Sequence, residues 1–159
     1  MNTRFIRASF LIVPLIVMLT TSAFTNTPDS GAALQRRLVG AWNVEGSTVN
    51  QGTFPVLMTF NSEGSVIASE SPVGFESAGH GSWTTNTRGQ VSYTFYSLLG
   101  SQDGVNTGKI KVVGTLKYDP KTNGWSGPFK VEVFDAGGQL VLADEGTFKL
   151  TPIPIESLN

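Results

Sequence analysis

The chain has 159 residues, of which 40% are hydrophobic and 14% are charged, with one histidine and no cysteine. This length fits a single domain with one hydrophobic core. The absence of cysteine excludes disulfides, so stability must come from burial and hydrogen bonding. One imidazole without thiolates also excludes the usual zinc ligand sets, and the sequence contains no motif for a metal or another cofactor.

The first 23 residues have the pattern of a secretory signal peptide. Arg4 and Arg7 precede an apolar run of about twelve residues, and small residues follow up to Ala23. The alternative is a membrane anchor, but the run is shorter than the roughly 20 residues that span a bilayer. We therefore expect cleavage after Ala23, a secreted or periplasmic protein, and no transmembrane segment in the mature chain.

The charge that remains after cleavage argues against nucleic-acid binding. Loss of Arg4 and Arg7 leaves nine basic side chains against twelve acidic ones, a net charge of about −3. The sequence has no basic stripe that would neutralise phosphates. The partner that we expect is a small hydrophobic molecule.

The mature chain is predicted to contain one folded domain. Residues 24–31 form a leader of turn-forming residues, residues 32–152 form the domain, and residues 153–159 form a proline-containing tail. A short helix is predicted over residues 32–39, where Ser30 can cap its first turn.

From residue 40 onwards the chain consists of short segments with apolar and polar residues in alternation, which is typical of half-buried strands. Eight or nine such strands with short turns leave no room for parallel crossovers, so the sheet is expected to be antiparallel. The predicted fold is all-β: an up-and-down barrel of about eight strands with a short N-terminal helix. A β-sandwich is the alternative. The clearest segment alternates Ile110, Val112, Leu116 and Tyr118 with Lys109, Lys111, Thr115 and Lys117.

The segment "LVGAWNV", residues 38–44, resembles the opening of lipocalins and the wider calycin group. The resemblance implies that Gly40 permits a tight entry and that Trp42 plugs the barrel floor beneath a basic residue of the last strand, here Lys149. Residues 36–151 also resemble a group of small exported bacterial proteins. The expected architecture is similar to that of allene oxide cyclases and dirigent proteins.

The only histidine lies in "SAGHGSW", residues 77–83. His80 could act as a general base, together with Tyr93, if the protein is an enzyme. The fold could bring Glu70, Glu76 or Asp144 to it. In the alternative interpretation the flanking glycines form a turn and the imidazole has a structural role.

The aromatic residues predict a ligand site inside the barrel, because a barrel of eight strands either fills its lumen or holds one small molecule. The irregular stretches 71–81 and 98–108 are candidate lids over its mouth. The alternative is plain core packing. The candidate ligand-binding residues are Phe75, His80, Trp83, Tyr93, Phe95, Tyr118 and Phe129.

Three functions remain open at this stage. The first is a binding module that carries a small hydrophobic ligand in its lumen, and the absence of a catalytic set favours it. The second is a cavity-based cyclase or isomerase that uses neither metal nor nucleophile. The third is a filled barrel that interacts with a protein or with the cell envelope.

Overall fold

A computed structural model describes residues 31–70 and 76–158 of the chain. The predicted signal peptide and most of the leader lie outside these residues. The elements are α1 (Gly31–Leu38), β1 (Gly40–Thr48), β2 (Gly52–Phe60), β3 (Ser65–Glu70), β4 (Gly79–Thr85), β5 (Val91–Gly100), β6 (Asn106–Asp119), β7 (Gly124–Asp135) and β8 (Leu140–Pro152).

The eight strands form a closed antiparallel barrel in which each strand pairs with its neighbours in sequence. Strand β8 returns to β1, with Val44 opposite Leu150 and Thr48 opposite Gly146, so the described sheet has no free edge. The predicted all-β, up-and-down barrel with a short N-terminal helix is confirmed, and the sandwich does not form. Within the described ranges, no helix has the length and apolar character needed to cross a bilayer.

The alternation in sequence decides which side chains enter the barrel. In β6, Val112 and Leu116 are buried while Lys109 and Lys117 are exposed. Successive side chains of a strand point to opposite faces, so this period of two separates the lumen from the outer surface. The irregular stretch predicted over residues 98–108 is shorter than expected, because β5 continues to Gly100 and β6 begins at Asn106.

The two ends of the barrel differ. One end, which we call the floor end, carries α1 and the β2–β3, β4–β5 and β6–β7 turns. There Leu34 of α1 meets Gly89 of the β4–β5 turn, and Arg37 meets Tyr118. Leu38 at the end of α1 is fully buried. The Trp42 indole Nε1 donates a hydrogen bond of 2.8 Å to the Leu38 carbonyl, and the Trp83 indole Nε1 donates one of 3.0 Å to the Asn61 carbonyl. The opposite end, which we call the open end, carries the other four strand connections.

Aromatic rings fill the middle of the barrel. Phe129 and Phe148 stack with ring centroids 4.0 Å apart. Tyr93 lies 6.4 Å from Phe148 and from Phe60, stacked on the first ring and edge-on to the second. Phe60 in turn meets Trp83 edge-on at 5.8 Å. Protein side chains therefore fill the lumen from its middle to the floor end.

The interpretation of the Gly-His-Gly segment as a turn is wrong. Residues Gly79–Thr85 form strand β4, and Gly79 and Gly81 face inwards where Phe95 of β5 crosses them. A Cβ at Gly79 would lie 2.6 Å from a ring carbon of Phe95, and one at Gly81 would clash with the Thr94 carbonyl oxygen. The glycines are needed for close packing between strands rather than for an unusual backbone angle.

Candidate functional site at the open end of the barrel

The inward-facing side chains become more exposed towards the open end. Ile110 and Val131 are only partly buried and pack on the edge of the core, as does Phe54 on β2. Leu142, which pairs with Val133 across β7 and β8, is 49% exposed. These residues form an apolar wall above the aromatic layer, and this wall is accessible to solvent.

Polar groups occupy the other side of the same end. Glu70 is the last residue of β3 and continues the inward alternation of Val66 and Ala68. Glu76 forms an isolated bridge with Leu99. The backbone N–H of Ser77 then donates a hydrogen bond of 2.9 Å to the carbonyl of Leu98, which secures this segment along β5. Both carboxyl groups thus lie at the rim on the β3–β5 side.

Burial perturbs both carboxyl groups, and the charge of Glu76 also acts on Glu70. Desolvation, followed by the charge of Glu76, raises the pKa of Glu70 to about 7. Desolvation also raises the pKa of Glu76, although a hydrogen bond from Ser97 opposes that shift. Ser97 is itself only 2% exposed. A half-buried pair of carboxyl groups resists full ionisation because each charge loses hydration and repels the other.

Below this rim, in the aromatic layer, Tyr93 has a buried hydroxyl beside Gly114 of β6. Its side chain is 2% exposed, and its hydroxyl oxygen has no hydrogen-bond partner. Burial, followed by the charge of Glu70, raises the pKa of this phenol. The indole N–H of Trp125 also lacks a partner, but Trp125 lies at the floor end beside Tyr118, whose ring is 5.3 Å away. An unsatisfied buried hydroxyl costs stability unless a partner binds it.

An open cavity of about 370 Å³ lies at this rim, between the Glu76 segment and the β5–β6 loop. Glu70, Tyr93 and the apolar wall do not line it, so this hollow lies beside the lumen at the rim. The cavity is lined by Glu76, Ser77, Leu98, Leu99, Gly100, Ser101, Gly104 and Asn106.

The structure does not gather the predicted ligand-binding residues at one site. Tyr93, Phe95 and Phe129 lie together in the aromatic layer, below the open end. Trp83 and Tyr118 lie at the floor end, where the Tyr118 hydroxyl donates a hydrogen bond of 2.8 Å to Asn123 Oδ1. Phe75 lies outside the described residues. The ligand-binding role of this set stays a prediction.

His80 lies on the outside of the barrel. It is exposed on β4, between Ile67 of β3 and Tyr96 of β5, whose side chains are also on the outer face. It therefore does not meet Tyr93, which points inwards, and the inward-facing carboxyl groups do not approach it. A catalytic pair of His80 and Tyr93 is not assembled.

Of the residues predicted to form the barrel floor, Gly40 and Trp42 are at the floor end, whereas Lys149 is on the outer face of the sheet. Gly40 begins β1 with φ of 143°, a backbone angle that favours glycine. Lys149 is exposed on the outer face opposite Glu45, whereas Trp42 points into the core. Arg37 of α1 is the cation nearby: its guanidinium lies 5.2 Å from the centre of the Tyr118 ring.

No metal site emerges from the described part of the chain, where no three acidic or histidine side chains lie close enough together to hold an ion.

Sequence reasoning did not identify Glu70 as an inward-facing residue of the site. The signal was present in "SVIASE", because Val66 and Ala68 are inward and Glu70 continues their period of two. Ser97 likewise continues the inward period of Val91, Tyr93 and Phe95 in β5. Glu76 gave no comparable signal, because it lies outside the strands.

The comparisons with known proteins give little further guidance. Neither a scan against protein-family models nor a search of curated proteins finds a match. Among solved structures, the chain is similar to a redesigned beta barrel at 14% sequence identity, with 76% of this chain and 96% of that chain covered and a TM-score of 0.31. The assignment of a closed barrel therefore rests on the strand pairing of this chain itself.

Proposed function

We propose that the protein binds a small, largely apolar molecule at the open end of its lumen. The observation that carries this proposal is the change in the inner face along the barrel axis. The floor end is sealed by α1 and by packed rings, whereas the open end presents a half-exposed apolar wall opposite buried polar groups. That combination is typical of a ligand pocket.

The proposal is tested by calorimetric titration with octanol, a neutral molecule with an apolar tail. Val133→Trp fills the rim from the inner face and is expected to weaken octanol binding by at least about tenfold. Lys130→Trp places the same side chain on the outer face of the same strand and should leave binding unchanged. Ring-current shifts of the octanol methyl protons would locate the tail above Tyr93 and Phe129.

Absence of octanol binding to the wild-type protein would overturn the proposal, as would equal binding by the two tryptophan variants. Either result would leave a filled barrel that acts through its outer surface as the better explanation.

A second candidate function is proton-transfer catalysis at the same site. The observation that favours it is the pKa of Glu70, about 7, since a general base works best when its pKa is near the working pH. A suitable probe is 5-nitrobenzisoxazole, in which a base removes the ring C–H proton while the N–O bond breaks to release a phenolate. Catalysis that rises with pH through about 7 and is lost in Glu70→Gln would support this function. A rate equal to that of acetate in buffer would exclude it.

A further inference from the structure

The carboxyl groups at the open end have no positive partner on the described chain. Every basic side chain on the described strands occupies an outward position, and the remaining ones lie in α1 and in turns at the floor end. The segment 71–75, "SPVGF", contains no basic residue. The outward basic residues of the strands are Lys109, Lys111, Lys117, Lys130 and Lys149.

Two other acidic groups of the barrel, Glu132 and Asp144, are compensated. Glu132 on the outer face receives Lys111 and Lys130 at 3.1 Å each, and these contacts lower its pKa. Asp144, the other inward-facing acidic residue near the open end, accepts a hydrogen bond of 2.8 Å from the Glu145 backbone N–H, and its pKa is lowered. Glu70 and Glu76 differ from them, because desolvation dominates and no cation compensates it.

The Tyr93 hydroxyl provides a second and independent indication of a ligand. It is buried, has no hydrogen-bond partner, and belongs to an inward-facing side chain of the aromatic layer below the open end. The lack of a side chain at Gly114 makes room for it, since a Cβ there would overlap the hydroxyl oxygen. A phenol oxygen can accept a hydrogen bond from an ammonium group that also contacts a carboxylate.

We propose that the molecule bound at the open end carries a protonated amine, which lies between Glu70 and Glu76 with the Tyr93 hydroxyl beneath it and its apolar part on the wall of Phe54, Ile110 and Val131. This inference rests on the proposed function and names the chemical class of its ligand. An organic cation fits better than a metal ion, because the described side chains supply only two carboxylates here and the opposite wall is apolar.

The proposal predicts a direction for the pH dependence. An alkylamine stays protonated well above neutrality, whereas Glu70 gains its charge only as the pH rises through about 7. Affinity for the amine should therefore increase from pH 5.5 to pH 8. The titratable groups that face Glu70 are Glu76 and Tyr93. The inward residues of β2 and β4 beside it are apolar or glycine, and Asp144 lies across the lumen on β8.

The test uses three probes with the same tail: octylamine, octanol and octanoate. At pH 8 octylamine should bind at least about tenfold more tightly than octanol, with octanoate weakest, because hydrogen bonds to a charged partner are the stronger ones. At pH 5.5 the preference of octylamine over octanol should fall to about threefold or less. Octanol affinity should change little over this range.

The variants separate this inference from the proposed function. Glu70→Gln keeps the shape of the side chain and should reduce the affinity for octylamine to that for octanol at both pH values. Glu45→Gln removes a carboxylate from the exposed outer face and should leave all three affinities unchanged. Circular dichroism melts establish that each variant is folded.

Two outcomes contradict the inference in different ways. If octanol binds and octylamine binds no better at pH 8, the lumen binds apolar molecules but not amines, and only this inference fails. If none of the three probes binds to the folded wild-type protein, both the inference and the proposed function fail.

Discussion

The floor end and the open end of this barrel are built from the same eight strands and the same alternation, yet they have different chemistry. At the floor end, Phe60 and Leu38 are almost completely buried, and the Trp42 and Trp83 indoles find backbone carbonyls. At the open end, the inward positions hold carboxyl groups, a buried serine and half-exposed aliphatic residues. The comparison shows that one end of the lumen is closed by packed side chains, while the other combines carboxyl groups with solvent-accessible apolar side chains. Departures of this kind from a uniformly packed core are where natural proteins place function.

The largest difference between the ends should appear when a phenylalanine of β2 is replaced by alanine at each end in turn. Phe60→Ala removes a ring that is 1% exposed, and we expect it to lower the free energy of unfolding by about 3 to 5 kcal/mol. Phe54→Ala removes a partly exposed ring at the open end and should cost about 1 to 2 kcal/mol, because solvent already reaches that site. Urea unfolding measures both. Equal losses would mean that the open end is packed as tightly as the floor end.

The next effect concerns the pH dependence of the free energy of unfolding. Because the pKa of Glu70 is raised to about 7 in the folded state, ionisation opposes folding, and stability should fall as the pH rises from about 5 to 8. We expect Glu70→Gln to raise the free energy of unfolding at pH 8 by about 2 kcal/mol and to change it little at pH 5.

Urea unfolding of the ligand-free protein across this pH range measures the effect. Glu63→Gln, an exposed carboxyl at the floor end whose pKa is lowered, is the matched control and should not stabilise the protein at pH 8. A wild-type stability that does not change between pH 5 and pH 8 would show that the Glu70 carboxyl is hydrated in the folded protein.

The glycines of β4 should matter more than the histidine between them. Gly81→Ala introduces a Cβ that clashes with the Thr94 carbonyl oxygen, and we expect a loss of about 1 to 3 kcal/mol as β4 and β5 separate. Ser82→Ala, an exposed position on the same strand, is the control and should have little effect. Thermal melts that show equal stability for the two variants would contradict close packing at this site.

The smallest effect is expected for His80→Gln. His80 is exposed on the outer face, and substitutions of that kind usually change the free energy of unfolding by less than about 0.5 kcal/mol. Octanol binding should also be unchanged, because the imidazole lies on the opposite side of the sheet from the lumen. A tenfold loss of affinity on this substitution would require the histidine to reach the open end.

The sequence by itself determined the fold class. The period of two in segments such as β6, the short turns and the lack of room for crossovers led to an antiparallel up-and-down barrel with the correct faces inward. These features are local, because the alternation of apolar and polar residues within a strand indicates which of its faces is buried.

Only the tertiary structure decided which residues meet. The lone histidine attracted attention in sequence because of its chemistry, but the register of β3, β4 and β5 places His80 outside, and the same register places Lys149 away from Trp42. It also brings Glu70 and Glu76 to one rim above Tyr93. Such contacts depend on strand register and on barrel closure, in which residues distant in the chain become neighbours, and no local pattern contains that information.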